Sequence, residues 1–101
     1  MIVRISRGRF DPAAYPEIER RLRESTASLI PAIRKLPGVL AYYAGIDRDS
    51  STMINVSTWR SLDDARQMDS LEEMRALSRE FQTLGVEFER PITNYETLWN
   101  V

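Results

Sequence analysis

The stretch "NVSTWRSLDDA", Asn55 to Ala65, decides the fold. Its first half reads as the end of a strand closing on a tryptophan. Its second half reads as a helix entered through Ser61, with Asp64 three residues on in the place a capping box gives to glutamate. On a strand Asn55 and Trp59 stand four residues apart and share one face. A strand that passes straight into a capped helix implies mixed α and β architecture, and the flanking segments extend that reading.

Upstream, "MINVSTW" at 53–59 places Ile54, Val56 and Thr58 on one face and Met53, Asn55, Ser57 and Trp59 on the other. "VLAYYAGID" at 39–47 is a second strand, joined to it by the turn-rich "RDSST". Residues 2–10 alternate as a first strand, with Ile2, Arg4 and Ser6 opposed to Val3, Ile5 and Arg7. Between these strands, Asp11 before Pro12 signals a helix start, and Pro16 disfavours helical geometry at Tyr15. The helix is therefore expected to begin near Pro16. Ile18, Leu22, Leu29, Ile33 and Leu36 keep near-helical spacing, and Pro31 inside that pattern predicts a kink or restart. "LPG" at 36–38 ends the helix.

Downstream, Leu62, Ala65, Met68, Leu71, Met74 and Leu77 recur every three residues. On one straight helix that stripe slips about 60° per step, so it cannot face a single core. The region is expected to break near Met68–Ser70, with Ser70 as a new cap and Glu73 as its partner. Leu71, Met74, Leu77, Phe81 and Leu84 then form one apolar face, which Gly85 terminates. The last strand is "TNYETLWNV", 93–101, with Pro91 at its start or on an edge.

The order β-α-β-β-α-β over 101 residues predicts one α+β domain, 1–101, with a ferredoxin-like sandwich of helices on a four-stranded antiparallel sheet. A domain of this size buries only roughly two-thirds of its unfolded surface, so association would help it. The strands offer no properly wet face. Leu40, Tyr42 and Ile46 oppose Val39, Ala41 and Tyr43, and Tyr95, Trp99 and Val101 oppose Leu98. An open apolar face on a monomer is rare, and a two-fold partner is the simplest cover. The expected partner is a second copy of the chain.

Composition excludes several function classes. The chain has 14 basic and 15 acidic residues and a net charge of −1, so it has no field for a phosphate backbone. Nucleic acid is not an expected partner. Neither is a membrane, because no apolar run approaches the roughly 20 residues that span one. Cysteine is absent, which fits a reducing compartment, and the expected location is cytoplasmic. Histidine is absent too. That removes Ser-His-Asp and Cys-His nucleophile systems, the usual zinc sites and histidine-ligated haem. Proton transfer would fall to a carboxylate, the single lysine Lys35, a tyrosine or water. The acidic residues Asp63, Asp64, Asp69, Glu72 and Glu73 lack calcium-loop spacing and suit first turns of helices instead. No metal or cofactor is expected.

The element order, "LPGVLAYYAGIDRD" and "NVSTWRSLDDARQM" resemble antibiotic-biosynthesis-monooxygenase-type domains of the dimeric α/β-barrel superfamily. The resemblance spans nearly the whole chain and marks the fold better than the activity. It implies a dimeric barrel and relatives that include cofactor-free oxygenases of polyphenols, haem-degrading enzymes, isomerase-like proteins and domains without known activity. The oxygenases are implied to use an asparagine and a tryptophan at this strand spacing, here Asn55 and Trp59, to hold an aromatic substrate and its oxyanion. The haem-degrading branch is implied to need an asparagine on the first strand and a histidine on the second helix. Arg4, Ser6 and the lack of histidine speak against it.

Arg4 is a candidate for a phenolate or carboxylate, against an ion pair with Glu96 or Glu87. Tyr42, Tyr43, Tyr95 and Trp99 are candidates for an aromatic pocket, against core or interface packing. Two functions follow as expectations. One is a cofactor-free monooxygenase of an aromatic or polyphenolic small molecule. The other is a non-catalytic dimeric module that binds a small ligand or serves assembly.

Overall fold

In the computed structural model, which describes residues 1–101, strand β1 (Ile2–Arg9) is the centre of an antiparallel sheet. Strand β3 (Thr52–Trp59) pairs with it along its full length, and β2 (Val39–Asp47) pairs with β3. The other edge of β1 carries two short strands, β4 (Glu87–Phe88) and β5 (Thr93–Glu96). The fourth strand position is thus one chain segment interrupted at Glu89–Ile92. Helices α1 (Tyr15–Glu24), α2 (Thr26–Arg34), α3 (Leu62–Arg66) and α4 (Glu72–Thr83) complete the expected β-α-β-β-α-β order.

The register sorts the side chains into ranks across the sheet. Ile2, Trp59 and Val39 form one rank, and Arg4, Ser57 and Tyr42 the next. Ser6, Asn55 and Ala44 form the third, and Gly8, Met53 and Ile46 the fourth. These ranks face the helices, because Met53 and Trp59 join Ile18, Leu29, Ile33, Leu77 and Phe81 in the buried core. The opposite face carries Val3, Ile5, Tyr43, Ile54, Val56 and Tyr95 and has no cover in the chain.

The ambiguity of β2 has a local cause. Val39 pairs with Trp59 and Ala41 with Thr58, so Leu40 is an extra residue in a β-bulge. The bulge brings Val39 and Tyr42, three apart, onto the same face. Strict alternation therefore mis-sorts the strand before the bulge.

Four boundaries differ from the sequence reading. Tyr15 is helical (φ −51°, ψ −50°) and opens α1, after a 3₁₀ turn at Pro12–Ala14 capped by Asp11. The pre-proline bias is outweighed by burial of the Tyr15 ring, which lies 6.3 Å from Phe10 and beneath the Arg48 guanidinium. The long helical region breaks at Ser25 rather than at Pro31, which stays inside α2. The Ser25 hydroxyl donates to the Leu22 carbonyl at 2.6 Å and competes with the helical ladder there. Pro31 and Ala27 are exposed, so the carbonyl that loses its partner is open to water.

The second helical region breaks where the apolar period requires, through a 3₁₀ turn at Gln67–Ser70. The cap there is not Ser70, whose hydroxyl donates back to the Gln67 carbonyl. Extended Leu71 precedes α4 without a side-chain cap, while Glu72 and Glu73 in the first turn interact favourably with the helix dipole. Ser61 does cap α3, accepting the Asp64 N–H at 3.1 Å. Gly85 (φ +92°) closes α4, with the Gly85 N–H on Gln82 and the Val86 N–H on Phe81. Finally, the last strand ends at Glu96 rather than Val101. Its partner β1 starts at Ile2, which pairs with Glu96, so no ladder remains for Leu98–Val101.

Candidate functional site

A cavity lies between the helices and the middle of the sheet, above the ranks of Arg4 and Ser6. Its floor is polar: Arg4, Ser6, Asn55, Ser57 and Tyr42. Its walls are apolar, from Leu22 and Leu29 on α1 and α2 and Met74, Leu77 and Phe81 on α4. Met68, at the break between α3 and α4, also lines it, so the break that the apolar period demands contributes to the cavity wall. The inner volume is about 50 Å³.

Asn55 lines this cavity, paired with Ser6 and Ala44 on the strands beside it. Trp59 does not. It is fully buried one rank beyond Ser57, where α3 packs over the end of β3. The Trp59 indole N–H donates to the Ser57 hydroxyl oxygen at 2.8 Å. That bond takes an acceptor site of the Ser57 oxygen and leaves the Ser57 O–H free to donate. Ser57 lies in the cavity lining, so the indole acts on the cavity through Ser57.

Arg4 is buried, and its guanidinium donates to Asp69 at 2.7 Å. The counter-ions expected from sequence, Glu96 and Glu87, are not its partners. Glu87 lies beside Arg9 at 3.7 Å. Beside Arg4 on β5, the Asn94 amide oxygen is buried with no partner in the chain. Burial pushes the Tyr42 phenol well above its ordinary range, and the charge of Arg4 only partly offsets this. Tyr42 therefore stays a neutral donor and acceptor near neutral pH. Arg90, at the mouth, is pushed below the usual guanidinium range by burial and then by the charge of Arg4, with Asp69 opposing.

The structure leaves Tyr43, Tyr95 and Trp99 outside the cavity. Tyr43 and Tyr95 stand on the uncovered sheet face at 65% and 51% exposure, and Trp99 follows β5 at 80%. Of the four candidate aromatics only Tyr42 reaches the site, in register with Ser57, and Phe88 on β4 lines it as well. Sequence reasoning passed over Ser57, although it lies between Asn55 and Trp59 on their own face. Arg90 carried no local signal, because the loop that brings it to the mouth has no periodicity.

No cluster of three or more histidine, cysteine, aspartate or glutamate side chains has the geometry to hold a metal ion. No helix is long and apolar enough to cross a membrane. Chemically, the floor supplies neutral N–H and O–H donors and one guanidinium beneath an apolar roof. Such a set stabilises an anion on an otherwise apolar molecule.

No protein-family model matches the sequence, and no curated protein matches it. Solved structures do. A candidate antibiotic biosynthesis monooxygenase from Deinococcus radiodurans superposes with a TM-score of 0.75 at 18% identity, covering 100% of this chain and 96% of that one. SnoaB, a cofactor-independent oxygenase from Streptomyces nogalater, gives 0.68 at 16% identity, covering 99% and 95%. A protein from Pseudomonas aeruginosa, PA3566, gives 0.69 at 22% identity, covering 97% and 94%. The chain has the ferredoxin-like fold of antibiotic-biosynthesis-monooxygenase-type domains.

Proposed function

We propose that the protein is a cofactor-free monooxygenase of a small electron-rich aromatic, working as a homodimer. The observation that carries this is the convergence of Asn55, Ser57 and Arg4 on one cavity floor under apolar walls. An ionised phenol or enol of the substrate would lie against those donors, which stabilise its charge. The substrate is its own reductant. Its anion passes electrons to O₂, carbon bonds to one oxygen as a peroxide, and the O–O bond then breaks. A CH₂ and O₂ become a C=O and H₂O, with four electrons moved from carbon to oxygen. In this reading water takes the proton and returns it to the departing oxygen, since the chain has no histidine to shuttle it. Asn55 holds the anion, and Trp59 positions the Ser57 hydroxyl.

A second copy of the chain is the partner this reading assigns to the uncovered sheet face. Val3, Ile5, Ile54 and Val56 form an apolar strip flanked by exposed Tyr43 and Tyr95. Leu98 and Trp99, 91% and 80% exposed, follow β5 as further uncovered apolar surface. The cysteine-free composition fits this dimer working in the cytoplasm.

One observation favours a second reading, a dimeric module that binds a small ligand without chemistry. The inner volume of about 50 Å³ is below the roughly 150 Å³ that holds benzene. A ring therefore needs the lining to give way, and Met68 and Met74 in that lining are unbranched thioether side chains that repack at low cost. Oxygen-electrode traces with a panel of polyphenols separate the two. The first reading expects uptake that Asn55→Ala abolishes. The second expects binding without uptake.

A further inference from the structure

Beyond Arg4 the cavity opens into an outer vestibule of about 290 Å³. Four arginines line it, Arg4, Arg75, Arg79 and Arg90, against one acid, Asp69. Arg79 is held by Glu72 at 3.0 Å. Arg75 and Arg90 lie in no ion pair. Arg90 bonds only the Glu89 carbonyl and rests on the Phe88 ring. The vestibule therefore has positive charge to spare in a chain whose net charge is −1.

The Arg4–Asp69 pair is also asymmetric. The Arg4 side chain is 8% exposed and that of Asp69 is 60% exposed. A buried guanidinium needs a counter-anion, whereas an exposed carboxylate returns to water at little cost. Asp69 sits on the 3₁₀ turn between α3 and α4, at the edge of the vestibule. It occupies Arg4 as a tethered carboxylate that an incoming one can replace. Arg4 borders both volumes, so a molecule bound there reaches from the inner cavity into the vestibule.

We propose that the ligand is an aromatic carboxylic acid, its ring in the inner cavity and its carboxylate on Arg4 in place of Asp69, backed by Arg75 and Arg90. This rests on the reading of the inner cavity as the ligand site. A bidentate carboxylate satisfies the guanidinium plane better than the single bond from Asp69.

Amide NMR titration of the full chain at neutral pH tests this with 4-hydroxybenzoate, its neutral isostere 4-hydroxybenzamide, and phenyl phosphate. The acid is expected to bind about tenfold tighter than the amide, with shifts at Asn55, Ser57 and Asp69. Arg75→Gln and Arg90→Gln should each weaken the acid several-fold and leave the amide unchanged. Asp69→Asn should tighten the acid by removing its competitor. Equal affinity for acid and amide, or indifference to both arginine substitutions, overturns the carboxylate subsite while the inner cavity stands. Tighter binding of phenyl phosphate overturns the choice of carboxylate. No shift at any cavity residue with any probe overturns the cavity reading and this inference together.

Discussion

The Trp59 indole lies 2.8 Å from the Ser57 hydroxyl oxygen, so a residue outside the cavity sets the donor inside it. Ser57→Ala leaves a fully buried indole N–H without an acceptor, at a cost of about 1–3 kcal/mol. Trp59→Phe removes that N–H as well as ring volume. In the double variant the orphaned donor no longer exists, so the two losses should fall short of additive by on the order of 1 kcal/mol. Urea denaturation of the four proteins measures the coupling. Full additivity would mean the bond contributes nothing.

Two glycines with positive φ should respond differently to alanine. At Gly85 a Cβ meets nothing within 4 Å, so only the left-handed backbone is strained, at about 1–2 kcal/mol. At Gly38 (φ +79°) a Cβ would fall 2.0 Å from the Asp64 carboxylate and 2.8 Å from the Asp64 Cβ. Gly38→Ala must therefore displace the start of α3 as well, and it should be the more destabilising of the two by thermal melting. Equal melting points would contradict the close approach of the "LPG" turn to α3.

The Arg21–Glu80 pair joins α1 to α4 across the roof, with one contact at 3.1 Å. The hydrogen bond from Arg21 holds the Glu80 carboxyl below its ordinary 4.5, with desolvation opposing. A lowered carboxyl stabilises the fold above its unfolded value, and that contribution is lost as pH falls through the folded one. Wild type should therefore melt above Glu80→Gln at neutral pH, and the gap should close below about pH 4.5. The Glu80 side chain is half exposed and that of Arg21 is partly covered, so the gap should be small and should shrink with salt. A gap that persists at pH 2 would assign it to packing instead.

The uncovered sheet face should hold two copies together. Light scattering of the wild type is expected to give twice the chain mass of 11.7 kDa. Val56→Glu places a charge in the middle strand of that face and should return the mass to one chain without loss of secondary structure. A wild-type mass of 11.7 kDa at micromolar concentration would remove the dimer from the account.

Much of the fold was legible because it rests on local rules. The Ser61 cap, the Gly85 stop and the three-residue slip that forces a break near Met68 are each written in a few neighbouring residues. The errors arose where tertiary contacts override local bias. Packing of Tyr15 on Phe10 outweighs Pro16, and the helix breaks at Ser25, whose hydroxyl bonds the Leu22 carbonyl, while Pro31 is accommodated inside α2. The last strand stops at Glu96 because β1 supplies no partner further on. The site was less legible than the fold. Shared parity groups Asn55, Ser57 and Trp59, but only the register with β1 and the bulge in β2 put Arg4 and Tyr42 beside them. No local pattern could place Asp69 on Arg4 from 65 residues away.

The most direct test of the central claim is oxygen consumption with a polyphenol panel by wild type, Asn55→Ala and Trp59→Phe. The cavity reading predicts uptake by wild type at a rate above that of the substrate alone. It predicts loss of that excess in Asn55→Ala and a partial loss in Trp59→Phe, which keeps Ser57 but not the bond that orients it. Equal rates in all three proteins, with folding intact, would contradict it.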